Sequence, residues 1–208
     1  MTLSAQLWSR NADLAADILA HPFVRGIADG SLPRRRFAAY IAQDAFFLES
    51  FARAYALALV RSPDTSTLLV LADLIAGGVR EELGLHASYA SSWDIDMAGV
   101  EPLAATSAYT EFLLSTAATR PAEVVYAAMT PCMRLYAWLG QSLDADSAGP
   151  YSQWVQAYAA PEFDGIARQL ENLLDEQSPD SPEVRSAYRR AMQLELGGFF
   201  EAANNTDT

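Results

Sequence analysis

Three side chains have types and surroundings suited to chemistry. Cys132, the one cysteine of the chain, stands in YAAMTPCMRLYAWLG. Steps from it to Leu135, Tyr136 and Leu139 trace one helical face, which makes Tyr136 its neighbour one turn on. A thiol can serve as a nucleophile once it ionises. Pro131 either kinks this segment or starts a new turn at Cys132, and in the second case free backbone N–H groups favour the thiolate. By itself a lone cysteine also fits a small buried hydrophobe. Asp44 lies on a stripe that is otherwise apolar or aromatic, where a carboxylate needs a partner to offset its desolvation. The partner is either a ligand or an arginine such as Arg53. Glu195, in AMQLELGGFFEAAN, shares a stripe with Met192, Leu196, Phe199 and Phe200. Such surroundings favour the protonated acid and suit a general acid/base; the alternative is a glutamate on a helix surface.

Other polar groups point elsewhere or nowhere. Glu82 and His86 are four residues apart and could form half a metal site. The chain has only two histidines, however, and lacks the Glu-x-x-His spacing of di-iron bundles. His21, in HPF, sits at a helix end, where capping is its simplest use. Tyr109, Tyr136 and Tyr158 fall on three different helices and read as core rings or as walls of a pocket. No glycine-rich phosphate loop, nucleophile elbow or Ser/His/Asp set is present.

These residues must be positioned by helices. The apolar period is helical throughout, without strand alternation or internal repeat. Residues 34–61 place Phe37, Tyr40, Ile41, Asp44, Phe47, Leu48, Phe51 and Tyr55 on one face, behind Pro33. A second long helix covers about 64–92, with Gly77–Gly78 as a weak point. Further helices are expected near 103–118, 121–143, 148–160, 162–176 and 181–203, with prolines at their junctions. The first 23 residues read as one amphipathic helix, too polar for a signal peptide or a membrane span. One all-α bundle over 1–208 is expected, fraying from about residue 204.

Composition agrees. Of 208 residues, 51% are hydrophobic, enough to build a core. Acidic residues outnumber basic ones 26 to 14, for a net charge of −12. That balance repels nucleic acid, and no basic run overrides it. A lone cysteine rules out an intrachain disulfide and suits the cytoplasm.

Several blocks, in order, carry a family likeness. HPFVRGIADGSLPRRRFAAYIAQDAFFLESFARAYALAL resembles the N-terminal signature of the TenA/thiaminase II family. EELGLHASYASSW, TPCMRLY, YSQWVQAYAAPEF and LELGGFFEAA resemble its later blocks, and together they span almost the whole chain. The resemblance implies a single-domain haem-oxygenase-like helical bundle, without haem, assembled as a homotetramer. It implies that Cys132 is the nucleophile, that Glu195 moves protons and that Asp44 holds the amino group and ring nitrogen of a pyrimidine. Tyr109, Tyr136 and Tyr158 would line the pocket, and Phe199 would pack on the ring. Phe47 stands where many members have tyrosine, which removes one pocket hydroxyl. The pair Gly197–Gly198 lengthens by one the usual spacing from glutamate to the aromatic pair, and a local bulge would accommodate it.

The activity so implied is hydrolysis of 4-amino-5-aminomethyl-2-methylpyrimidine, or of thiamine, to hydroxymethylpyrimidine in thiamine salvage, with no metal and no organic cofactor. Two rivals remain at this stage. One is a non-catalytic binder of thiamine precursors, and the other is a metal-dependent oxidase on the same fold.

Overall fold

The computed structural model of the chain describes residues 1–95 and 100–204. The N-terminal stretch, expected as one helix, forms three: α1 (Leu3–Arg10), α2 (Ala12–Ala20) and α3 (Pro22–Ala28). Asn11 breaks the first junction and folds its side-chain amide back onto the Leu7 carbonyl at 2.8 Å. His21 breaks the second, because a residue before proline is driven to extended backbone. Its Nδ1 then accepts the Phe23 N–H at 3.2 Å, so His21 does cap a helix.

Helix α4 (Arg34–Leu59) follows Pro33 and buries the aromatic face read from its periodicity, Asp44 included. The helix expected over 64–92 is divided into α5 (Thr65–Leu74), a π-helical turn (Ile75–Val79) and α6 (Arg80–Trp93). Gly77 and Gly78 fall inside that turn, where weak side-chain constraint makes a wider winding cheap. Asp64 starts α5 by accepting the Thr67 N–H at 2.8 Å.

Helices α7 (Ala104–Thr119) and α8 (Ala122–Ser142) come next. A short 3₁₀ turn (Gly149–Tyr151) leads into α9 (Ser152–Ala159), and then come α10 (Pro161–Gln177) and α11 (Pro182–Leu194). A second π-helical turn (Glu195–Phe200) joins α11 to α12 (Glu201–Asn204). Helix α12 ends at Asn204; residues 205–208, the rest of the tail expected to fray, lie outside the described residues.

Helix α8 is apolar almost all round, the pattern of a helix buried on every side. It packs on α9, α10 and α11, while α4 packs on α5, α6 and α7. Helix α7 and the second π-turn pack on each other and link the two groups. Burying each large ring of this core contributes roughly 1.5–3 kcal/mol. Arg134 of α8 fixes the register with α10, reaching Asp164 at 2.7 Å and Glu171 at 2.6 Å. No helix among the described residues is long and apolar enough to cross a membrane.

Candidate active site

Five elements bring the chemically suited residues together at the centre. Helix α4 supplies Asp44 and Phe47, α7 supplies Tyr109, and α8 supplies Cys132 and Tyr136. Helix α9 supplies Tyr158, and the second π-turn supplies Glu195 and Phe199. All of these side chains are buried.

The π-turn explains the extra glycine. In a regular helix, positions four and five after Glu195 diverge by a full residue step, so only one of them would share its face. Winding over Glu195–Phe200 is wider, and Glu195, Phe199 and Phe200 all turn inward while Gly197 faces out. The bulge expected from Gly197–Gly198 is present, and it leaves Glu195 only 1% exposed.

Cys132 and Glu195 are close enough to act on each other. Burial is the main influence raising the Cys132 thiol above its ordinary range, followed by the charges of Glu195, Glu82 and Asp44. The thiolate-favouring arrangement considered for Pro131 does not occur, since α8 continues through Pro131 and no helix begins at Cys132. Glu195 is raised to about 8, chiefly by burial; a hydrogen bond from Tyr109 and the neighbouring Cys132 pull it down, and Asp44 pushes it up. The Tyr109 hydroxyl donates to Glu195 Oε1 at 2.9 Å. A carboxyl that titrates near neutrality beside a thiol can take and return that thiol's proton.

Asp44 has a different partner from the arginine considered above. Arg53 pairs with Glu49 one turn away, near the surface. Asp44 instead faces His86 of α6, with Oδ2 at 3.0 Å from Nε2. The approach is close but off the line of a hydrogen bond. Asp44 Oδ2 and both ring nitrogens of His86 make no hydrogen bond in the structure. Buried polar atoms without a well-aligned hydrogen bond are rare and call for an explanation, and a bound ligand offers one. Glu82, grouped with His86 as half a metal site, accepts from the Tyr158 hydroxyl at 3.1 Å instead. Among the described residues no three His, Cys, Asp or Glu side chains converge as metal donors.

Aromatic rings wall the cluster. Phe47 contacts Tyr109 at 4.8 Å and Phe199 at 5.3 Å between ring centroids. Tyr136 lies 4.9 Å from Tyr158. Tyr40 joins them, accepting from Trp154 Nε1 at 3.3 Å and donating to the Tyr136 hydroxyl at 3.4 Å. Sequence reasoning gave no role to Tyr40, Trp154 or Tyr55, and did not pair His86 with Asp44. The signal for α6 was present: Glu82, Leu85, His86 and Tyr89 recur at helical spacing and all are buried.

An all-helical bundle closes a thiol, three carboxyls and a ring of tyrosines into its core. The chain belongs to the TENA/THI-4/PQQC family, whose sequence pattern matches residues 8–196. It is 31% identical to an aminopyrimidine aminohydrolase from Halalkalibacterium halodurans, over 99% of this chain and 96% of that protein. It is 35% identical to the mitochondrial bifunctional TH2 protein of Arabidopsis thaliana over 96% of this chain, and spans only 37% of that longer protein. A TenA family transcription regulator from Silicibacter sp. TM1040 superposes with a TM-score of 0.89, at 26% identity, covering 97% of this chain and 96% of that one. A Shewanella denitrificans domain with a heme oxygenase-like fold superposes at 0.69 with 17% identity, over 96% and 90% of the two chains. The haem-oxygenase-like bundle read from the sequence is the fold.

Proposed function

We propose that this protein hydrolyses 4-amino-5-aminomethyl-2-methylpyrimidine, and thiamine as a second substrate, to hydroxymethylpyrimidine, in thiamine salvage. The observation that carries this reading is the buried Cys132–Glu195 pair beside an Asp44 oxygen that makes no hydrogen bond. The name of the H. halodurans relative supports the substrate class.

In this mechanism Asp44 accepts hydrogen bonds from the amidine-like edge of the pyrimidine, with Phe47 and Phe199 against its ring. The ionised fraction of Glu195 takes the Cys132 proton as sulfur bonds to the ring carbon next to C5. The electrons released into the ring expel the leaving group from the methylene. The amine, an ammonium at neutral pH, departs as ammonia. Water adds to the exocyclic methylene and gives its proton to the ammonia, or to solvent where the neutral thiazole of thiamine has left. Sulfur then leaves the ring and recovers its proton from Glu195. The sum is amine plus water to alcohol plus ammonium, and enzyme groups end as they began. Tyr109 holds the Glu195 carboxyl, while Tyr136 and Tyr158 exclude water from the sulfur.

The chain acts as one unit in this reading, as a cytoplasmic homotetramer. Leu68, Leu69 and Val60, exposed on α5 and beside it, support an apolar contact between copies.

Cys132→Ser tests the central claim. It keeps the volume and replaces the thiol with a hydroxyl that hardly ionises, so kcat should fall at least about a hundredfold while pyrimidine affinity changes little. Wild-type turnover by the serine variant would remove the nucleophile. A wild type that binds pyrimidine without turning it over would leave a binding protein instead.

A further inference from the structure

The mechanism leaves one buried carboxyl of the centre unused. Glu82 is 6% exposed and lies in the field of Asp44 and Glu195. Among the described residues no arginine or lysine pairs with it, and its hydrogen bond comes from Tyr158. A third carboxyl buried beside two others is costly to ionise unless a positive charge accompanies it. Burial, and next the charge of Asp44, hold it well above the ordinary carboxyl range.

Glu82 and Tyr158 also have a second side. Both line a cavity of about 210 Å³ between α6 and the α9–α10 corner, with Leu85 and Phe163 as its apolar walls and the exposed Glu81 and Glu162 also on its lining. One water takes about 30 Å³ of liquid, so the space suits a small heterocycle or a hydrated amine. The Tyr158 ring touches Tyr136 on one side and Phe163, at 4.8 Å, on the other. The Glu82–Tyr158 pair therefore stands between this cavity and the buried side chains around Cys132. An independent sign comes from Tyr55 on α4. Its hydroxyl is buried without a hydrogen-bond partner, and the ionisable groups acting on it are Cys132 and Glu82.

Resting on the proposed hydrolysis, we infer that this cavity takes the group cleaved from the pyrimidine, and that Glu82 selects a leaving group bearing positive charge. The chemistry of the two substrates fits. The methylene of one carries an ammonium, and that of the other carries a thiazolium. A cation against Glu82 compensates the ionised carboxylate, and the Tyr158 hydroxyl beside it supplies a further polar contact. Acidic residues lining the cavity draw the same charge.

Two ligands sharing one pyrimidine separate this from a structural role. In a Cys132→Ser background, calorimetry gives the dissociation constants of aminomethylpyrimidine and hydroxymethylpyrimidine. The factor by which the cationic ligand is preferred should fall at least about fivefold on Glu82→Gln, as expected for a lost charge contact, and recover in part with Glu82→Asp. Leu85→Trp, which fills the cavity and leaves the Glu82 carboxyl in place, should weaken thiamine far more than hydroxymethylpyrimidine. An unchanged preference in Glu82→Gln, or equal losses for both ligands in Leu85→Trp, overturns the inference. If Glu82→Gln does not fold, the Leu85→Trp arm decides. A wild type that binds neither pyrimidine defeats the proposed function and this inference together. One that binds them without turnover defeats the hydrolysis alone, and the preference factor still decides on the cavity.

Discussion

The Tyr109 hydroxyl of α7 donates to Oε1 of Glu195, at 2.9 Å, from across the bundle. This bond lowers the carboxyl's pKa against burial, which is the larger influence, and the group settles at about 8. Tyr109→Phe removes the donor and keeps the ring against Phe47. The Glu195 pKa should rise further, and kcat/KM at neutral pH should fall about tenfold, as for one lost hydrogen bond to a charged group. A pH–rate profile checks this; an unmoved acid limb would leave the tyrosine a structural ring.

Asp44 should govern affinity more than rate. Asp44→Asn keeps the shape and removes the charge, so pyrimidine binding should weaken by roughly 1.5–3 kcal/mol. Calorimetry measures it directly. Unchanged affinity would confine Asp44 to its pairing with His86.

Assembly is open to one measurement. A tetramer gives light scattering at four times the 22.6 kDa of the chain. A monomer mass at micromolar concentration would count against the exposed α5 face as an interface.

Gly140 of α8 lets α9 approach and so places Tyr158. A Cβ at this position would lie 2.4 Å from the Tyr158 carbonyl carbon and 2.4 Å from the Ala159 nitrogen, both of them backbone atoms. Gly140→Ala should therefore cost about 1–3 kcal/mol, as overpacking does, and lower activity through a displaced Tyr158. Gly165 of α10 is the control, since nothing lies within 4 Å of its Cβ position. There alanine should stabilise by up to about 1 kcal/mol. Equal melting temperatures for the two variants would contradict this packing.

Much of this was legible in the sequence, because helical periodicity reports burial directly. The α4 stripe predicted which side chains turn inward, and Asp44 was conspicuous on it. Glu195 was suspected from its apolar neighbours, and its raised pKa follows from the same burial. What sequence could not supply was the pairing between helices distant along the chain. Arg53 lies on the same helix as Asp44, yet its position on α4 points it outward to Glu49. His86 reaches Asp44 from α6, and Glu82 reaches Tyr158 from the same helix, contacts that no local spacing encodes. Pro131 misled for a related reason. Alone it reads as a helix breaker, but a helix buried on every side is held by its neighbours strongly enough to run through it. The break in the N-terminal helix at Asn11 left no comparable mark.

Glu195 gives the sharpest prediction, because its ionisation should move stability and activity in opposite directions. Its pKa is about 8 in the folded protein against an ordinary 4.5. Between those values the folded chain keeps a proton that the unfolded chain has released. The native state then binds more protons, so stability falls as pH rises and the loss is complete above the folded pKa. This group contributes a slope of up to about 1.4 kcal/mol per pH unit. Glu195→Gln should remove that contribution, and its melting temperature should fall less steeply than wild type between about pH 5 and 8. Some slope will remain, since Glu82 is raised by the same physical cause. Activity should run the other way. Only the ionised Glu195 can take the thiol proton, so wild-type kcat/KM should climb with pH toward a limb near 8, and the glutamine variant should be slow and lack that limb. Thermal melts and rate profiles over the same buffers test both halves. Parallel melting curves for the two proteins would give Glu195 an ordinary pKa and remove it as the proton carrier.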